Sequence, residues 1–148
     1  MKIIAANNRA NYSFTISNKI EAGVVLTGSE VKSLRINTGS IRGSYIIEQN
    51  GELWLSNSFI KKYQNSNDNN YEPSRKRKLL VTKKELDKIS GSIKTGGYTI
   101  IPISLYFSDK GLAKLSCGIA KGKKKIDKRE SIKQRDWNIK KQRLLKNN

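Results

Sequence analysis

The side chains with the clearest capacity for chemistry are basic, and they form three clusters. Lys32 and Arg35 lie three residues apart beside Glu30, a spacing that puts both cations on one face of a helix. Four consecutive basic residues follow at 75–78, and a lysine-rich run occupies 121–125. Lysines supply affinity for phosphate without base specificity, and arginine pairs suit bidentate phosphate contacts. The clusters therefore predict a polyanionic partner, and nucleic acid is the commonest one.

Two of these clusters also have a purely structural interpretation. The cations on the helix could form an ordinary solvated face, and Glu30 has the spacing of a capping-box acid. In an extended segment Arg75 and Arg77 would project to one side, and Lys76 and Lys78 to the other. Because an apolar run follows, that segment could also be an edge strand guarded by its charges.

The residues that are missing exclude several kinds of site. The chain has no histidine and one cysteine, Cys117, so it cannot build a Ser-His-Asp or Cys-His site, an ordinary structural zinc site or an internal disulfide. Cys117 is expected to be a small core residue rather than a nucleophile. With few general acid–base groups an RNA-modifying enzyme is disfavoured, and we expect no enzyme activity, no metal and no cofactor.

The charge distribution divides the chain of 148 residues, whose net charge is +18. Residues 119–148 hold 12 Lys and Arg and three acids, so this last fifth carries half of the net charge. We expect a body over 1–122 and a basic tail over 123–148 that is disordered when free. A solubilising tail is the alternative, but this one lacks Gly and Pro and carries spaced apolar residues with Trp137. It is therefore predicted to become helical when an anion neutralises its charge.

Hydrophobic patterning predicts a mainly β body. Strand signals occur at 13–16 and 22–26, and two hairpins are predicted, one across Asn50-Gly51 and one joining 98–107 to 112–120. Pro102 cannot donate a ladder hydrogen bond, so its strand lies at an edge or carries a bulge.

Capping boxes predict two inserted helices in this body. One begins at Thr27, with Gly39 available to end it, and the other begins at Thr82 and is limited by Gly91. About six strands with these helices suit a small, partly open OB-type antiparallel barrel. No apolar run is long enough to span a bilayer or to serve as a secretory signal, so we expect a cytoplasmic protein.

Three motifs in register resemble the SsrA-binding protein family, also called small protein B. They are Thr27–Arg35, Arg75–Leu80 and Ala120–Arg129, and the resemblance runs from about Asn7 to the C-terminus. It implies an OB-type barrel with two or three short inserted helices and a basic tail that is unstructured in solution. It also implies a monomeric adaptor that binds the tRNA-like domain of transfer-messenger RNA and enters the vacant A site of a stalled ribosome in trans-translation. The tail would become helical in the empty mRNA channel.

The resemblance also implies which residues contact RNA. On the body these are Asn7, Glu30, Lys32, Arg35, Arg75, Arg77, Lys78, Lys121, Lys123 and Lys124. In the tail, Asp127, Lys128 and Arg129 match the motif that contacts the ribosomal decoding region, and Trp137 matches an aromatic further along. The family usually has His or another aromatic before Asp127, whereas this chain has Ile126, which replaces base stacking by aliphatic packing. A structural ribosomal protein or a general RNA-binding OB module is the alternative.

Overall fold

The computed structural model describes residues 2–36, 39–122 and 125–146, and within the last segment the side chains of 133–144. Seven strands form one antiparallel sheet in the order β1-β6-β7-β2-β5-β4-β3. The strands are β1 (Lys2–Ala6), β2 (Phe14–Val24), β3 (Tyr45–Gln49), β4 (Glu52–Ser56), β5 (Arg77–Leu80), β6 (Tyr98–Phe107) and β7 (Ala113–Gly122). The helices are α1 (Ala10–Ser13), α2 (Gly28–Ile36), α3 (Lys83–Lys94) and α4 (Lys125–Lys146).

The sheet curls on itself, because β3 at one end of the strand order contacts β6 near the other end. This is the predicted mainly β, partly open barrel. Its core contains Leu53, Leu55, Leu79, Leu115 and Cys117, each at most 3% exposed. The predicted core position of Cys117 is confirmed, and burial raises the pKa of its thiol to about 12.

Both predicted hairpins are confirmed. Asn50 and Gly51 join β3 to β4 with φ angles of 54° and 75°, as a type I′ turn requires. The register of β6 against β7 shifts between Pro102 and Ser104. The predicted bulge therefore lies at Pro102, which has no N–H to give to the ladder.

The two capping boxes are also confirmed, but α3 ends differently from the prediction. The backbone N–H of Thr27 donates to Glu30 Oε1 at 2.8 Å at the start of α2, and Thr82 with Glu85 caps α3. Helix α2 is described as far as Ile36, and the two residues between it and Gly39 lie outside the described part, so the predicted stop at Gly39 stays a prediction. The prediction that Gly91 limits α3 is wrong, because the helix continues to Lys94 and Gly96, with φ of 86°, follows its end.

Strand pairing accounts for the other differences from prediction. The two short apolar runs at 13–16 and 22–26 belong mainly to one long strand, β2, which has eleven residues and pairs with β7 across a register shift. The sequence does not predict strand β1 or helix α1, and the alternative of an edge strand after Arg75 is wrong in one respect, because β5 lies between β2 and β4. All three are short, and the strands are held by partners far away in the sequence.

The tail segment is a helix of 22 residues, α4, which is roughly 33 Å long at the α-helical rise. It contacts the body at α1. All of its described side chains, from 133 to 144, are exposed. Disorder of the tail in the free protein, and its change to a helix when an anion binds, stay predictions. Across the part of the chain that the structure describes, no helix combines the length and the apolar character needed to cross a membrane.

Candidate nucleic-acid interface

Two of the predicted RNA contacts are completely buried. The side chains of Glu30 and Arg77 are 0% and 1% exposed, and Arg77 Nε donates to Glu30 Oε2 at 2.7 Å. Arg75 Nη2 donates to the other carboxylate oxygen at 2.5 Å from a partly exposed position. The predicted direct RNA contacts of Glu30 and Arg77 do not agree with this placement, because neither side chain has surface to offer. The predicted shared direction of Arg75 and Arg77 is confirmed.

This buried ion pair fastens α2 to the long connection between β4 and β5. Arg77 Nη1 donates to Ser58 Oγ at 2.9 Å, and its Nη2 donates to the carbonyl of Pro73 at 3.0 Å. The hydroxyl of Ser33 on α2 donates to the carbonyl of Lys61 in the same connection. A buried guanidinium and carboxylate need such partners to offset their loss of hydration, and here those partners fix the position of α2.

The surroundings of Glu30 favour its ionised form. Burial alone would raise the pKa of this carboxyl, but hydrogen bonds from Arg75 and the Thr27 backbone, with the charge of Arg77, bring the pKa below its ordinary value. Tyr71, whose hydroxyl donates to the Ile60 carbonyl at 2.6 Å, has a raised pKa because of burial and then of the Glu30 charge. The cluster is therefore a carboxylate with its cations at neutral pH.

The exposed face of α2 keeps two cations available for RNA. Lys32 Nζ lies 5.9 Å from the centroid of the Tyr63 ring, and the Arg35 guanidinium lies 5.7 Å from that of Phe107. Both side chains are on exposed residues. Contacts of this kind orient a cation without neutralising it, so Lys32 and Arg35 still offer positive charge to solvent.

The lysines of the second basic cluster lie on the opposite side of the segment from its arginines, as predicted. Lys78 Nζ forms an ion pair with Glu52 at 3.2 Å, and both side chains are about 40% exposed. Lys76 Nζ lies 5.3 Å from the centroid of the Trp54 ring and donates to Gln49 Oε1 at 2.8 Å. This cluster is therefore divided between the interior and the outer face of the sheet.

The third basic cluster is far from α2. Lys121 lies at the end of β7, with Nζ 5.9 Å from the centroid of the Tyr98 ring. Arg35 is near Gly111, in the turn before β7 begins. Since β7 has ten residues, these two positions are roughly 30 Å apart along the barrel. The predicted cations therefore do not form one compact patch.

Several predicted residues of the tail fall outside what is described. Lys123 and Lys124 lie outside the described residues. The backbone of Asp127, Lys128 and Arg129 belongs to α4, but their side chains also lie outside the described part. Trp137 is described, and it is 58% exposed on α4. An exposed indole at this position is free to meet a partner.

Asn7 uses its side chain inside the protein. Its Nδ2 donates to the Pro102 carbonyl at 3.0 Å, and its Oδ1 accepts from the backbone N–H of Arg9 at 3.3 Å. A cleft of about 450 Å³ beside it is lined by the exposed Arg9 and Arg42, which the sequence motifs do not single out. The two arginines are 33 positions apart in the chain, so no local motif indicates that they share a cleft.

A second group that sequence reasoning missed is centred on Glu21. Tyr106 donates its hydroxyl to Glu21 Oε2 at 2.5 Å, and Lys114 Nζ lies 3.8 Å from Oε1. Burial and the Glu21 carboxylate raise the pKa of Tyr106 to about 12. The three residues come from β2, β6 and β7, so only the strand register could have revealed the group. Within the described ranges, no group of three or more acidic or cysteine residues could hold a metal ion.

Fold and charge together define a small OB-type barrel protein with a basic helical extension, an arrangement typical of RNA-binding proteins. The family model described as SmpB protein matches residues 4–147. The chain is 50% identical over 148 residues to the SsrA-binding protein of Wolbachia pipientis subsp. Culex pipiens, covering 100% of this chain and 99% of that protein. The chain belongs to the SsrA-binding protein family.

Other relatives and a solved structure agree with this membership. The SsrA-binding protein of Ehrlichia canis is 50% identical, with 100% of both chains covered, and that of Ehrlichia ruminantium (strain Gardel) is 51% identical, with 99% of both covered. A solved chain described as "tmRNA-SmpB: a journey to the center of the bacterial ribosome" matches with a TM-score of 0.65 and 39% identity. The match covers 86% of this chain and 92% of that chain.

Proposed function

We propose that this protein is the RNA-binding adaptor of trans-translation. It binds the tRNA-like domain of transfer-messenger RNA and delivers this RNA to the vacant A site of a stalled ribosome. The observation that carries the proposal is family membership along nearly the whole chain, from residue 4 to residue 147. The likeness to a chain described with tmRNA and the bacterial ribosome supports both partners.

The two basic regions have separate roles in this proposal. Residues 1–122 form the body that holds transfer-messenger RNA, and residues 123–148 form the tail that probes the empty mRNA channel and is helical there. The exposure of the side chains described on α4, from 133 to 144, supports this division, because exposed cations remain available to an external polyanion. Asp127, Lys128, Arg129 and Trp137 are its proposed ribosome contacts.

The structure suggests a further division among the proposed body residues. Lys32, Arg35, Arg75, Lys78 and Lys121 keep solvent-accessible cations and are the proposed phosphate contacts, together with Lys123 and Lys124 from the tail junction. Glu30 and Arg77 act as positioning residues, because they fix the helix that presents Lys32 and Arg35. Asn7 positions the connection between β1 and α1 through its two side-chain hydrogen bonds.

The proposed protein is an adaptor rather than an enzyme. Its single cysteine is buried with a raised pKa, which disfavours nucleophilic chemistry at that residue. In this proposal the protein acts as a monomer in the cytoplasm, where ribosomes stall, and without a cofactor.

The proposal is tested by a pull-down, in which the purified protein is mixed with a cell lysate and recovered. The RNA bound to it is then sequenced. We expect transfer-messenger RNA to dominate the recovered RNA, and we expect the protein to sediment with stalled ribosomes at less than one copy per ribosome. One copy on every ribosomal subunit, with no enrichment of transfer-messenger RNA, would instead identify a structural ribosomal protein. Recovery of mixed RNAs without preference would identify a general RNA-binding module.

A further inference from the structure

An aromatic and cationic patch covers the outer face of β3, β4 and β5. In the strand register Trp54 lies opposite Ile47 on one side and Lys78 on the other, so these three side chains share a face. The neighbours of Trp54 along β4, Leu53 and Leu55, point into the core and are each 1% exposed. The Trp54 ring therefore belongs to the outer surface, at the centre of a three-stranded platform.

Lys76 and Tyr45 extend this platform. The ammonium of Lys76 is held over the Trp54 ring, 5.3 Å from its centroid, by a 2.8 Å hydrogen bond to Gln49. Tyr45 is 54% exposed, and the alternation of β3 places it on the same face as Ile47. The aromatic–lysine patch is thus defined by Tyr45, Trp54, Lys76 and Lys78.

The patch has the composition of a site for unpaired nucleotides rather than for a duplex. Aromatic side chains on a sheet supply flat surfaces on which bases stack, and adjacent cations meet the phosphates that join them. Lys78 is already paired with Glu52, but both groups remain partly exposed, so a phosphate can compete with that carboxylate. A net charge of +18 attracts RNA to the whole surface.

The other cation–aromatic contacts of the described residues involve smaller rings. Phe107, beside Arg35, is 8% exposed and has little ring surface available. Tyr63, beside Lys32, is partly buried, and Tyr98, beside Lys121, is 39% exposed, but each offers a single phenol ring. Trp54 combines the largest ring system with a neighbouring exposed aromatic on the same sheet face.

We propose that the aromatic–lysine patch is a stacking site for an unpaired base of the bound RNA. The base takes the place of the Lys76 ammonium on the indole, and that ammonium moves to the phosphate of the same nucleotide. This proposal rests on the proposed function, and it adds a second contact face to the one on α2.

Tryptophan fluorescence tests the proposal directly, because the chain has only two tryptophans. In a Trp137→Phe background, whose own affinity is the reference, Trp54 is the only tryptophan, so its emission is followed with excitation that tyrosine does not absorb. Titration with a transcript of the tRNA-like domain is expected to quench Trp54, while a fully paired RNA duplex with the same number of nucleotides is not. In the same background Trp54→Leu is expected to weaken binding of the transcript by about tenfold, and Trp54→Phe, which keeps an aromatic face, by less than about threefold. Circular dichroism and thermal melting establish that each variant is folded.

A second variant separates stacking from charge. Lys76→Ala is expected to reduce the dependence of log affinity on log salt by about one unit while quenching of Trp54 persists. Tight binding of the transcript without quenching, and with equal affinity for Trp54→Leu, would overturn the stacking site and leave the proposed function intact. Normal transcript binding by Trp54→Leu, with loss of ribosome sedimentation, would assign the patch to the ribosome and also overturn it. Absence of any preference for the transcript would overturn both proposals.

Discussion

The base of α2 and the exposed helix α4 use charge in opposite ways. At α2, Glu30 and Arg77 are fully buried and satisfy each other and the nearby backbone. On α4 every described side chain is exposed, including the cations among them. A charge in the first region stabilises one conformation, whereas a charge in the second remains available to a partner. Mutation of a charged residue is therefore predicted to lower stability in the first region and to weaken partner binding in the second.

The largest functional effect is expected from removing α4 altogether. Truncation after Lys124 is predicted to abolish peptide tagging on stalled ribosomes, because the tail is the proposed contact with the mRNA channel. Binding of the tRNA-like transcript is predicted to persist. The described side chains of α4 are all exposed, so its removal is expected to leave the barrel and α2 folded. Tagging assays and gel shifts on the same preparations measure the two effects. Normal tagging by the truncated protein would contradict the division into body and tail.

The largest effect on stability is expected at Glu30. Glu30→Gln leaves Arg77 buried without its counter-charge, so the free energy of unfolding is predicted to fall by about 3 kcal/mol. Urea unfolding followed by circular dichroism measures the change. Glu72→Gln is the matched control, since it removes an exposed carboxylate near the same loop and is predicted to change stability by less than about 0.5 kcal/mol. Equal small losses in both variants would show that the buried pair does not hold α2.

The features that the sequence predicts correctly are specified by residues close together in the chain. Thr27 with Glu30, Thr82 with Glu85, and Asn50-Gly51 were predicted correctly because the signal and the structure it specifies lie within a few residues. The same local reasoning correctly separated the arginines at 75 and 77 from the lysines at 76 and 78.

Local sequence patterns do not predict which face of the 75–78 segment is buried. Glu30 lies 47 positions from Arg77, so only the folded chain shows that their charges neutralise each other. Glu21, Tyr106 and Lys114 were missed for the same reason, since three strands bring them together. The family resemblance points to the motif residues around α2 and β5 as RNA contacts, but motif membership cannot distinguish a residue that would contact RNA from one that would position it.

The pH dependence of stability tests whether the buried Glu30 carboxylate is ionised in the folded protein. Because the pKa of Glu30 is lowered in the folded protein, its contribution to stability is fully present above its unfolded pKa, close to its ordinary value of 4.5. That contribution is lost as the pH falls from there through the folded pKa. The difference in unfolding free energy between the wild type and Glu30→Gln is therefore predicted to be constant near neutral pH and to shrink below about pH 4.5. Urea unfolding of both proteins across this range measures it, and a difference independent of pH would contradict the ionised pair.

The smallest effect concerns the exposed cations that the buried pair positions. Lys32→Ala with Arg35→Ala is predicted to leave the unfolding free energy within about 1 kcal/mol of the wild type, since each exposed residue contributes little. The same double variant is predicted to lower the salt slope of transcript binding by about two units, one for each phosphate that a cation no longer neutralises. Lys83→Ala with Lys84→Ala on α3 is the matched control, because it removes two exposed charges from another helix. An equal change of slope in both double variants would mean that transcript binding depends on total charge alone. The exposed cations of α2 would then not be specific phosphate contacts.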